Sequence, residues 1–332
     1  MEGQKTIFQL LLIFLGIALT TTGFGHEPWL LTAEQIQLLH TQPNPTLFTQ
    51  LTLFNSLIGL SALLGVMIWI IIHWYFPPQH QSQTHAQPWI SFVLRLGAGV
   101  MLILLSLGLL PRSGVPYFAE STMLAPEFLL SHIPQSWAFL QWMELTLGIG
   151  LVLGLWTRFF AFIFLLFMVL CCSLYGHGVL QYCGFYLGIT YYLLTQGGGK
   201  FALTQSAPSP LAVSPRRAFL ILQILTGINF IYSAITIKLF QPNLDIAILT
   251  LNQAFTFGIP YEYFVFMMLI TEIIFGLLII LGWRLRLISI LLLVLFVFLS
   301  IDVSENLLAH SFIYGILAAF FITAGVPLIQ KK

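Results

Sequence analysis

Residues 141–160 read QWMELTLGIGLVLGLWTRFF, and residues 268–287 read MLITEIIFGLLIILGWRLRL. In each stretch a glutamate (Glu144, Glu272) is followed four, ten and fourteen residues later by a glycine (Gly148, Gly276), a second glycine (Gly154, Gly282) and an arginine (Arg158, Arg286). Each glutamate lies inside an apolar run long enough to cross a bilayer, and each arginine lies just beyond the end of that run. A carboxylate at such depth costs roughly 2.5–3.5 kcal/mol on insertion scales, so it faces a bundle interior or a polar cavity. The same spacing in two segments of the same character indicates a duplicated unit with a functional interior.

The rest of the chain agrees with a membrane setting. Of 332 residues, 58% are hydrophobic and 7% charged, against about 25% charged in soluble domains. Mean hydropathy is +0.95. Too few polar side chains remain to cover a water-facing globule, so the sequence predicts an all-α polytopic membrane protein with the lipid bilayer as its surroundings. A net charge of +1 without a basic run excludes nucleic acid as a partner.

Around the two motifs the chain divides into three parts. Residues 1–88 hold a helix pair, the apolar run 7–19 and a second span at 51–75, joined by an outer segment. The first run also reads as a signal peptide, because Gly23-Phe24-Gly25 is a passable cleavage site. In the outer segment, Thr32 followed by Gln35 is a capping-box pattern for a short helix. The Pro- and Gln-rich stretch 76–88 is the clearest boundary. Residues 89–205 form a first unit with spans at 89–110, 135–155, 159–175 and 179–195. Residues 215–330 form a second, with spans at 218–240, 261–283, 287–301 and 311–328. In both units a long connection follows the first span and an Arg-containing turn follows the second. Ten helices result: two four-helix bundles plus the N-terminal pair. With both termini cytoplasmic in a bacterial inner membrane, only Arg112 and Lys238 of the twelve basic residues fall outside.

Candidate chemistry follows from these positions. Glu144 and Glu272 are candidate catalytic or proton-handling carboxylates; the structural alternative is a hydrogen bond to a nearby backbone or hydroxyl group such as Thr146 or Thr271. Gly148 and Gly276, one turn on, admit a close neighbouring helix. Arg95 and Arg217, near the start of each unit's first helix, reach for lipid phosphate or turn inward to bind substrate. His177 and His310 follow the third helix of each unit and are candidates for substrate binding or proton relay. No metal site is expected. The weaker metal candidates are His26, exposed as an N-terminus if a leader is cleaved, and the set Asp302, Glu305 and His310. Cys171, Cys172 and Cys183 form no CxxC signature; the adjacent pair reads as small core side chains, with a redox role as its alternative.

The arginine of the first helix, the in-membrane E-x3-G-x5-G-x3-R of the second and the histidine after the third resemble the DoxX/DoxD family of four-helix membrane proteins. The resemblance covers both units, two copies where the family usually has one, and leaves 1–88 outside it. DoxD-type members form part of a thiosulfate:quinone oxidoreductase. The resemblance therefore implies a membrane subunit of a quinone-linked oxidoreductase acting on a reduced sulfur compound such as thiosulfate, with quinone as a cofactor. Two other readings stand beside it: a small-molecule or ion transporter using Glu144 and Glu272, and a non-catalytic scaffold or maturation partner for a periplasmic or membrane protein. The cavity is expected between the two bundles, lined by the two glutamates.

Overall fold

The computed structural model describes residues 30–50, 65, 87–110, 117–204 and 213–323. The runs 7–19 and 51–75, with His26, lie outside the described residues. Within the outer segment, α1 (Ala33–Thr41) starts on the expected capping box: the Gln35 backbone N–H donates to Thr32 Oγ1 at 3.3 Å, and the Thr32 N–H donates to Gln35 Oε1 at 2.8 Å. Two of the first helix's orphan donors are thus satisfied.

The first unit runs α2 (Gln87–Ser106), a short antiparallel hairpin of β1 (Thr122–Met123) and β2 (Ala125–Leu129), α3 (Phe139–Leu153), α4 (Thr157–Tyr175) and α5 (Leu180–Gln196). The second runs α6 (Pro215–Ser233), which continues into a six-residue π-helical segment (Ala234–Leu239), then α7 (Pro242–Leu251), α8 (Tyr261–Leu281), α9 (Leu285–Asp302) and α10 (Ser311–Thr323). Six stretches among the described residues are long and apolar enough to cross a bilayer. One of them, Thr157–Gln196, is a 40-residue run that folds back at Gly176–Val179 into α4 and α5. The fold is antiparallel there, since Arg158 at the start of α4 reaches Leu194 at the end of α5.

The long connections of both units are more structured than the sequence suggests. In the first, Met123, Leu124 and Ala125 at the hairpin turn are buried in the main core. In the second, α7 packs against α1, and its Leu244 and Ile248 share a buried cluster with Leu31, just before α1. Apolar residues at the tip of a connection gain burial by dipping into the bundle, at about 25 cal/mol per Å².

Four helices make the seam between the units. α5 packs on α6, α10 packs on α2, and α2 also touches α5. α2 and α6 are the most enclosed, with 56% and 67% of their apolar windows buried against 28–33% for the other spans. Aromatic rings fill the seam: Tyr186 lies 4.9 Å from Phe312, and Phe185 lies 5.3 Å from Phe230 and 5.6 Å from Phe312. Asn229 of α6 crosses it, donating to the Gln181 carbonyl and accepting from the Gly184 N–H at 2.7 Å. Of the two glutamates expected to line a cavity here, Glu272 borders one that Phe185 of α5 and Phe230 of α6 also line, and Glu144 meets the hairpin at Leu124, whose carbonyl accepts from Tyr186 of α5. Their helices α3 and α8 pack on α2 and α6 respectively.

What holds α3 to α2 also holds α8 to α6. A Cβ built on Gly148 would stand 2.8 Å from Gly99 O, and one on Gly276 would stand 2.7 Å from Gly227 O. Backbone meets backbone at both crossings, as small residues allow inside a membrane. The partners in the two halves differ by 128 in residue number throughout (Gly99 and Gly227, Gly148 and Gly276). Because the Cβ on Gly227 would lie 2.5 Å from Gly276 O, no side-chain adjustment relieves it. Gly227→Leu is expected to destabilise the protein by about 1–3 kcal/mol or more, read as a lowered unfolding temperature in detergent. Leu291→Ala on the exposed side of α9 is expected to leave that temperature nearly unchanged.

Candidate functional site

Most of the repeated motif turns out to build helix ends. α3 and α8 end at Gly154 and Gly282, whose φ angles of 67° and 73° are left-handed, a conformation open to glycine without a Cβ penalty. A Cβ on Gly154 would also meet the Arg95 guanidinium carbon at 3.0 Å. Arg158 donates to the Leu194 and Thr195 carbonyls at 3.0 and 3.2 Å, and Arg286 to those of Phe321 and Ile322 at 2.9 and 3.4 Å. Each arginine thereby satisfies the last carbonyls of the fourth helix of its unit, acceptors that a helix leaves open.

Arg95 and Arg217 part company. Arg95 is fully buried and turned inward, donating to Gly198 O (3.0 Å), Leu151 O (3.1 Å), Lys200 O (2.6 Å) and the Val152 carbonyl. It ties the end of α3 to the loop after α5, spending four of its five N–H donors on backbone carbonyls. Arg217 is exposed on the first turn of α6. The residue that matches Arg95 is Gln223, 128 positions on, which donates to Ile280 O at 3.1 Å, where Ile280 is itself 128 after Val152.

The two glutamates are held differently. Glu144 is fully buried, and its Oε1 accepts from the backbone N–H of Leu124 at 2.8 Å. Leu124 sits at the hairpin turn with φ 61°, and its carbonyl accepts from Tyr186 Oη at 2.5 Å. Glu144 Oε2 is buried without a hydrogen-bond partner. The expected neighbour Thr146 instead donates to Trp142 O. Glu272 receives Lys238 Nζ at 2.9 Å, and the same ammonium stands 3.7 Å from Asp245 Oδ2. Lys238 is carried by the π-helical segment, a type of helix irregularity frequent at functional sites. Its side chain and that of Asp245 are buried (7% and 8% exposed), while Glu272 keeps 21% of its surface.

A cavity of about 30 Å³ opens beside this ion pair. Lys238, Glu272, Ser233, Ser300, Glu305 and His310 contribute its polar lining. His310 Nδ1 lies 3.7 Å from Glu305 Oε2, which accepts from Ser300 Oγ at 3.3 Å. Such a volume admits one or two waters, at ~10–15 Å³ of probe volume each. The arrangement is an ammonium, carboxylates, an imidazole and hydroxyls around water-sized space, suited to passing a proton or holding a small cation.

His310 joins this cluster, but His177 does not. His177 is exposed in the turn Gly176–Val179. The residue 128 before His310 is Tyr182, buried and hydrogen-bonded to Glu127, so each half places a ring beside an acid. Asp302 is engaged away from the other weaker metal candidates: both of its oxygens accept from the Phe255 N–H, at 2.9 and 3.0 Å. Among the described residues no group of three or more His, Cys, Asp or Glu is placed to hold a metal ion. Sequence reasoning missed Lys238 and Asp245 as site residues. The signal was there, since Lys238 is one of the two cations that the expected topology leaves outside.

The contrast between the two arginines is testable. Arg95→Leu removes four hydrogen bonds to backbone carbonyls and is expected to cost about 3 kcal/mol or more. Arg217→Leu is expected to stay within about 0.5 kcal/mol of wild type. Denaturation curves of the two variants in the same detergent check both outcomes.

Comparison with known proteins bears on the first unit. No curated protein and no solved structure matches the chain. The DoxX family model matches residues 90–177, a segment that holds Arg95, Glu144, Gly148, Gly154, Arg158 and His177 and stops before α5. The Lys238 cavity lies outside the matched residues. With its apolar helices, the chain is an integral membrane protein whose residues 90–177 are DoxX-like.

Proposed function

We propose that this chain is a proton- or small-cation-handling membrane protein built from two DoxX-like units, and that the Lys238–Glu272–Asp245 cluster is its working site. Units 89–205 and 215–330 are read as duplicated four-helix copies beside the N-terminal pair 1–88. They begin on the same side of the membrane and run parallel, about an axis near its normal. Ten spans in a bacterial inner membrane with cytoplasmic termini remain the topology that the basic residues favour.

One observation carries the functional reading. Lys238 pairs with Glu272 at 2.9 Å while Asp245 and Glu305 stand buried nearby. One ammonium shared between the two carboxylates of Glu272 and Asp245 leaves a charge to be made up, and uncompensated charge is too costly to bury. A proton or cation taken up from water makes up the deficit, and its release restores it. Glu272, the least buried member, is the group that exchanges with the cavity. At 3.7 Å, His310 and Glu305 are separated by a gap that a water can bridge. This favours transport, with Glu272 as the exchanging carboxylate and Glu144 as an anchor for the hairpin.

The second reading is a membrane subunit of a quinone-linked oxidoreductase acting on a reduced sulfur compound such as thiosulfate. It is favoured by the DoxX match over residues 90–177. The charged cavity does not fit a quinone ring: about 30 Å³ compares with roughly 300–1,000 Å³ for small-molecule pockets. No step through quinone is assigned to its residues. A scaffold that docks a periplasmic or membrane protein is the third reading.

Proteoliposomes containing a pH-sensitive dye and poised with a potassium diffusion potential test the first reading. Wild type is expected to pass protons or the added cation, and Glu272→Gln to pass at least about tenfold fewer. Flux equal to that of protein-free liposomes contradicts the reading. Thiosulfate-dependent quinone reduction by the same preparation supports the second instead.

A further inference from the structure

We propose that Cys172 and Cys183 form a redox-active dithiol that closes to a disulfide by exchange with an external disulfide. Their Sγ atoms lie 3.8 Å apart, although eleven residues separate them in sequence. Cys172 is in the last turn of α4 and Cys183 in the first turn of α5, on either side of the turn Gly176–Val179. The adjacent cysteines 171 and 172 are the pair that sequence singles out, but consecutive helix positions do not face each other. Cys171 points into the core and is fully buried.

The geometry needs little change. An S–S bond is about 2.05 Å long, so closure shortens the Sγ–Sγ gap by on the order of 2 Å. All three thiols are reduced in the structure. Cys172 is partly exposed and Cys183 is buried, which assigns their parts. The turn that joins them carries exposed His177, so the tip of the hairpin reaches the molecular surface and a small disulfide in solution can approach it.

The exchange takes two steps. Cys172 loses its thiol proton to water, and the thiolate attacks one sulfur of the external disulfide. A mixed disulfide forms and one external thiolate leaves, to be protonated by water. Cys183 then loses its proton, and its thiolate attacks Cys172 Sγ. The Cys172–Cys183 bond forms and the second external thiol departs. Two protein thiols are oxidised and one external disulfide is reduced to two thiols. Closure staples the outward ends of α4 and α5, next to Tyr175, whose hydroxyl donates to the hairpin carbonyl of Leu129 at 2.9 Å.

The test uses the full chain in lipid nanodiscs, exposed to oxidised glutathione, quenched with an alkylating reagent, digested and read by mass spectrometry. Wild type and Cys171→Ser are expected to yield a Cys172–Cys183 cross-link that dithiothreitol reverses. Cys183→Ser is expected to retain glutathione on Cys172, and Cys172→Ser to retain none. Three freely alkylated cysteines in oxidised wild type, or a cross-link that uses Cys171, would overturn the proposal. Wild type decides between these outcomes without help from the variants, so a variant that fails to fold does not weaken the test.

Discussion

Hydrocarbon supplies no hydrogen bonds, so every polar group this chain carries into the membrane must be answered by the chain itself. That constraint explains most of the side chains that stand out. Arg95 answers the open carbonyls at the end of α3 and in the loop after α5. Arg158 and Arg286 do the same for the ends of α5 and α10. Asn229 ties α6 to α5 across an otherwise aromatic seam. In each case a polar side chain in an apolar sequence pairs with backbone, and its role is architectural. Once these are set aside, the Lys238 cluster stands out. There the answering groups are themselves charged, and they face a space with room for water.

The two halves share a set of helix contacts and differ in what those contacts enclose. The glycine crossings, the left-handed glycines and the arginine that reaches the fourth helix recur at the same 128-residue displacement. The contents of the two bundles do not. Glu144 is enclosed by a hairpin that enters the core and offers it a backbone N–H. Glu272 stands beside an ammonium borne on a widened π-helical turn, next to a helix that supplies Asp245. The first half is sealed around its carboxylate, and the second keeps solvent-sized space there. The DoxX match falls on the first half alone, consistent with this difference.

Much of this was legible in the sequence because membrane helices leave few alternatives. Apolar runs located the six candidate spans among the described residues, and a carboxylate inside each of two runs marked positions 144 and 272. The glycine one turn after each glutamate predicted a close helix crossing, and Gly99 and Gly227 provide it. What escaped were relations set by three-dimensional pairing. Arg95 and Arg217 share residue type and approximate depth, yet Gln223 occupies the position of Arg95, because a neutral amide can also donate to a helix-end carbonyl. His177 and His310 both follow a third helix, but a different turn leaves one at the surface and the other in the cavity. Glu144 and Glu272, alike in motif, meet different groups, the Leu124 N–H of the hairpin and the Lys238 ammonium. The long connections looked like loops, and only tertiary contact reveals that their apolar tips are core.

The account rests on a direct coupling between Lys238 and Glu272. A double-mutant cycle of Lys238→Met, Glu272→Gln and the combined variant, read as unfolding free energies in one bilayer mimetic, measures it. The account predicts that each single variant is destabilised and that the combined variant recovers part of the loss, with a coupling of at least about 1 kcal/mol. Losses that add to within about 0.3–0.5 kcal/mol would contradict it, and the charged cavity would then be a set of independently solvated groups.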